Sequence, residues 1–165
     1  MPRSQGDVHV TQSVLDRLID FEPASKVEAP ASRAQSLRLL KAAVRRDLDY
    51  LLNTRRVPEE PEESLQELNG SLYVYGLPDF STYSMASPAD QTRLVRQLLA
   101  TIKLFEPRLS NIRIVALDNP SVGIQRVRLR IEAMLLMDPS PEPVSFDTVI
   151  ELRSGNCHVS GDPNA

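Results

Sequence analysis

The chain has 165 residues, 41% of them hydrophobic and 25% charged, with a net charge of −3. That length can bury a sizeable core and fits one domain with chain left over for arms, while the slight negative charge argues against nucleic acid as a partner. The lone Cys157 leaves neither a disulfide framework nor a paired-thiol metal site.

A single thiol and a polar start, without the apolar core of a signal peptide, imply a cytoplasmic protein. No stretch approaches the ~18 apolar residues that span a bilayer, so no direct membrane insertion is expected. The expected division is a flexible arm over 1–31 and a single α+β unit over 32–165.

Residues 1–11 read as disordered. Ser13 offers an N-cap, and Val14, Leu15, Leu18 and Ile19 form a short apolar stripe on a helix ending near Phe21, before Pro23. Residues 22–31 read as a linker. The short helix is either a docking element on a tether or a helix folded back on its own core. Ser32 and Gln35 fit a capping box. From there Leu37, Leu40, Val44, Leu48 and Leu51 recur at helical spacing to about Asn53, with Arg38, Lys41, Arg45 and Arg46 mainly off that stripe as a solvated face.

Residues 57–64 form an acidic, proline-containing loop without metal-ligand geometry. Leu72–Tyr75 reads as a short strand, and Gly76-Leu-Pro-Asp-Phe80 as a turn. Ser87, Pro88 and Asp90 open the next helix, whose buried stripe is Leu94, Val95, Leu98, Ile102 and Phe105. Pro107 stops it. The residue before a proline is pushed out of the α region, so Glu106 is expected extended. Glu106 and Arg108 would then share one face, outward or into a polar groove, with Phe105 and Leu109 on the core side.

The rest reads as strands. Asn111–Leu117 is short. Ile124–Met137 alternates with period two, and so does Val144–Leu152, across a proline-rich turn at Asp138–Pro143. Pairing Met137 with Val144 puts Leu135 opposite Phe146, Ile131 opposite Ile150, and Arg130 beside Glu151 on the outer face. Residues 156–160 can add a short strand. The fold class is α+β: an antiparallel β-meander of three or four strands, two main helices packed on one face, and a short N-terminal helix on a linker.

Glu106 is the residue local context nominates for chemistry. As a general acid it would need a second carboxylate, Asp79 or Asp118, as in glycoside hydrolysis. Arg108 on the same face holds the carboxylate ionised, which suits a paired anchor, internal or across an interface, and not an acid. Arg126, Arg128 and Arg130 repel one another along one strand and call for acidic partners: Glu151, and others from another chain. His9 and His158 are isolated. No metal cluster, glycine-rich phosphate loop or nucleophile elbow is present, so no cofactor is expected.

The order of Ser13–Asp20, Leu37–Thr54, Tyr75-Gly-Leu-Pro-Asp-Phe80 and Phe105-Glu-Pro-Arg-Leu109 resembles the TssE family of type VI secretion baseplate subunits, within the phage baseplate lysozyme-like wedge proteins. The resemblance implies a cytoplasmic structural protein, docked with the baseplate near the inner membrane. Its partners would be TssF and TssG, with TssK a further candidate, and sheath subunits that join by strand exchange. It assigns the Glu106-Pro107-Arg108 motif to interactions that hold the wedge. Ser71–Tyr75 is more apolar and aromatic than the family pattern. The alternative is a peptidoglycan-cleaving glycosidase with Glu106 as acid.

Overall fold

A computed structural model describes residues 13–19, 32–84, 86–117 and 126–161. Helix α1 spans Val14–Leu18, α2 Arg33–Asn53, α3 Gln66–Asn69 and α4 Pro88–Phe105, with one 3-10 turn at Leu72–Val74. Strands β1 (Leu109–Ala116), β2 (Arg126–Leu135), β3 (Glu142–Glu151) and β4 (Cys157–Ser160) pair antiparallel in the order β1-β2-β3-β4. This is the expected α+β meander, with the fourth strand present. Phe21, residues 22–31 and the loop at 118–125 lie outside the described residues.

The helices start where side chains satisfy their free N–H groups. Ser13, Ser32 and Ser87 each accept a hydrogen bond from the backbone N–H three residues on. The α2 stripe Leu40, Val44, Leu48, Leu51 and Leu52 is buried, and Leu37 packs half-buried against it. Leu94, Leu98 and Ile102 of α4 face it, and both helices cover one side of the sheet, where Leu129, Ile131, Phe146 and Ile150 are buried.

The segment Gly76–Phe80 does more than turn: Leu77 and Phe80 are each 1% exposed and plug the core. Leu77 N–H donates to the Thr54 carbonyl at 2.8 Å, drawing the chain against the end of α2. Gly76 (φ 98°) permits this approach, since a Cβ there would lie 2.3 Å from the Thr54 oxygen. The neighbouring Leu72–Val74 is a 3-10 turn and not the expected strand, because Ser71 caps it by accepting from Tyr73 N–H.

The β2–β3 register corrects the expected one. Ile131 faces Phe146, Ala133 faces Val144 and Leu129 faces Thr148. Ile131 was expected opposite Ile150, four residues further on. An even slip keeps every side chain on its face, so the inward set is as expected while all partners change. The observed register satisfies two arginines where the expected one satisfied one: Arg126 meets Glu151, and Arg130 meets Asp147 instead of Glu151. It also draws Pro143 into β3, opposite Met134. The proline is tolerated because β4 pairs only with residues 147–150, so β3 is an edge at that point.

β1 starts at Leu109, earlier than expected, and carries a bulge between Ser110 and Arg113. Asn111 there has φ 50°, a left-handed conformation that asparagine tolerates. The extra residue lets both Leu109 and Ile112, three apart, face the core.

Candidate functional site

The site sits where α4 gives way to β1. Glu106 N–H closes the last helical bond to Ile102, and Leu109 N–H donates back to the Glu106 carbonyl at 3.1 Å. Residues 106–109 therefore form a β-turn with Pro107 at its second position, where the fixed proline φ is preset. The expected extended run is absent. Glu106 and Arg108 meet through the turn, and not through strand alternation.

The consequence is burial. Glu106 is 3% exposed, so of the expected placements the outward one is not observed, while Phe105 is only half-buried. Phe105 packs edge-on to Tyr75, with ring centroids 5.0 Å apart. Arg108 donates from Nε to Glu106 Oε1 and from Nη2 to Glu106 Oε2, each at 2.5 Å. Nη2 also reaches Asp47 Oδ2 on α2 at 2.7 Å. Asp47 Oδ1 accepts from Arg46 (2.8 Å), and Arg46 Nη1 donates to Asp16 of α1 at 2.8 Å.

Asp16, Arg46, Asp47, Arg108 and Glu106 thus form one chain of alternating charges from α1, across α2, to the turn. The hydrogen bond to Glu106 raises the Arg108 pKa above its ordinary value, against the opposing effect of burial. Burial alone would raise the Asp16 carboxyl, but hydrogen bonds from Ser13 and Arg46 outweigh it and lower the pKa. Burial, then the negative charges of Asp47 and Glu106, push the Tyr75 phenol up.

This arrangement is suited to holding a shape. A general acid presents a proton to an open cleft, whereas both Glu106 oxygens accept from Arg108. Asp79 is exposed and binds the Ser81 backbone and hydroxyl, which lower its pKa. Asp118 lies outside the described residues. Helix α1 touches α2 through Asp16, and its apolar stripe is exposed, with Val14 at 74% and Leu18 at 76%.

The outer face of the sheet carries the arginine row. Arg126 bonds Glu151 Oε1 through two nitrogens at 3.2 and 3.1 Å, and Arg130 bonds both Asp147 oxygens. The Asp147 carboxyl is lowered first by the Arg130 hydrogen bond. Arg128 has no ion-pair partner among the described residues. This row and the turn are separate features.

The two sheet edges differ. On β4, Asn53 of α2 donates its amide to the Cys157 carbonyl (2.7 Å) and accepts from Cys157 N–H (2.9 Å), while Asp49 accepts from Val159 N–H at 3.3 Å. These are the backbone groups that point away from β3. On β1, Leu117 N–H donates to Arg128 on β2. By alternation the N–H and C=O of Ile114 and Ala116 point away from the sheet, and no partner occupies them among the described residues.

Sequence reasoning missed Asp16, Asp47, Asn53 and Asp49 as partners. The available signal was helical spacing: Asp49 and Asn53 are four apart and share one face of α2. Among the described residues no group of three or more His, Cys, Asp or Glu could hold a metal ion, and no helix is long and apolar enough to cross a membrane. A search of curated proteins finds no match to the chain. Residues 38–140, more than half of the chain, match the family model of the baseplate wedge protein gp25, and the chain belongs to that family.

Proposed function

We propose that the chain is a structural baseplate subunit of a type VI secretion machine, joining the wedge and starting sheath assembly by accepting a strand. Membership of the gp25 family supports the wedge role. In this reading residues 1–31 are an arm and 32–165 one α+β unit, working in the cytoplasm without catalysis. The turn of Glu106, Pro107 and Arg108 is a braced element that presents the exposed Pro107 to TssF or TssG, with TssK a further contact. Arg126, Arg128 and Arg130 offer cations to an acidic partner surface.

One observation carries the strand addition: β4 is closed by Asn53 and Asp49, while β1 keeps outward donors and acceptors. An edge of that kind takes up an extended peptide through main-chain hydrogen bonds. Ala116→Pro removes one outward donor at an exposed position and leaves the β2 ladder intact. The variant should unfold at the wild-type temperature and fail to seed sheath polymerisation on assembled baseplates. Seeding at the wild-type rate would sink the proposal.

A further inference from the structure

The acidic loop after α2 has no role in the wedge reading. It borders an open groove of about 280 Å³ between that loop, the 3-10 turn and the C-terminal half of α4. Its lining combines the apolar Val57, Val74 and Leu104 with the polar Asn69 and Gln97, and Val57 is 45% and Leu104 47% exposed. Glu59, Glu60 and Glu63 also line it and are exposed.

Glu60 is tied to Arg56 at 2.7 Å, whereas Glu59 and Glu63 have no hydrogen-bond or ion-pair partner among the described residues. Two unpaired carboxylates lining one groove favour a cationic partner there. A bare metal ion would require convergent carboxylates, and the described residues contain no such group. The apolar part of the lining, Val57, Val74 and Leu104, suits an aliphatic or aromatic side chain instead. Pro58 and Pro61 fix φ in the acidic loop, so little loop entropy is lost when the groove fills.

We infer that this groove binds a segment of a partner protein that inserts an apolar side chain over Leu104 and flanks it with lysine or arginine facing Glu59 and Glu63. An apolar anchor supplies affinity and the flanking charges supply choice of partner.

The test uses the full chain and two synthetic helical peptides with the same leucine spacing, one with lysine and one with glutamate at the flanking positions. Binding is read by fluorescence anisotropy. The lysine peptide should bind at least about tenfold more tightly, a difference of about 1.4 kcal/mol. Leu104→Asp should abolish that binding. The double variant Glu59→Lys with Glu63→Lys should reverse the preference toward the glutamate peptide. The altered positions are solvent-exposed, and unchanged thermal unfolding verifies that both variants fold. Equal affinity for the two peptides, binding of neither, or full affinity in Leu104→Asp would overturn the inference. Concentration-dependent self-association lost in Leu104→Asp would overturn it in favour of a second copy of the chain. Calcium stabilising the wild type but not the charge-reversed variant would overturn it in favour of an ion site.

Discussion

Arg108 and Arg126 each donate two hydrogen bonds to one glutamate, in different surroundings. At the α4–β1 turn the glutamate side chain is 4% exposed and both its oxygens are engaged; on the sheet it is 36% exposed and a single oxygen takes both donors. Arg108 is also shared with Asp47, whereas Arg126 has Glu151 alone among the described residues. Removing one partner of a buried pair strands a charge in a poor solvent, while removing one partner of an exposed pair hands the other to water. The same two residue types therefore brace the fold in one place and tune the surface in the other.

The largest effect should come from Arg108→Ala, which leaves Glu106 buried without its fork of donors. A loss of about 3–5 kcal/mol is expected in urea unfolding. The combined change Glu106→Gln with Arg108→Met should recover much of it, because no charge remains to be stranded. A cost below about 1 kcal/mol for Arg108→Ala would erase the distinction between the two pairs.

Asp47→Asn comes next. It weakens two hydrogen bonds from Arg46 and one from Arg108 at a site with a third of the side chain exposed, so about 1 kcal/mol is expected after solvent screening. The same measurement on Asp47→Asn with Arg108→Met separates coupling within the network from two independent losses.

Acid sharpens the contrast further. The Asp147 pKa is held down chiefly by Arg130, below an unfolded value near 3.9. The stability it adds is present above about pH 4 and is lost as pH falls through the lower folded value. In Arg130→Ala the unfolding midpoint should decline less steeply below about pH 4 than in the wild type; parallel profiles would contradict the assignment. Arg126→Ala should be the mildest change, with no resolvable shift in midpoint at physiological salt.

Much of this was legible from short-range chemistry. The serine caps and the stripes of α2 and α4 follow from residues three and four apart, and the inward rows of β2 and β3 from residues two apart. What failed depended on distant chain. Period two sets the parity of a strand pair but not its register, and the choice fell to Asp147, which accepts Arg130. Extended alternation was expected to put Glu106 on one face with Arg108, outward or into a polar groove. Its burial depends on Asp47, which meets Arg108 across 61 positions of sequence. The closure of β4 likewise joins residues 104 apart. The Glu-Pro-Arg tripeptide was recognisable, but the brace around it was not, because no local pattern names Asp47 or Asp16 as members.

The amide of Asn53 imitates what a neighbouring strand would offer Cys157, one donor and one acceptor side by side. At β4 the side chains of α2 thus take the place of a further strand, whereas the outward backbone groups of Ile114 and Ala116 on β1 have no partner among the described residues. A four-residue strand and two side chains of one helix, Asn53 and Asp49, are enough to make the two edges of the sheet chemically unlike.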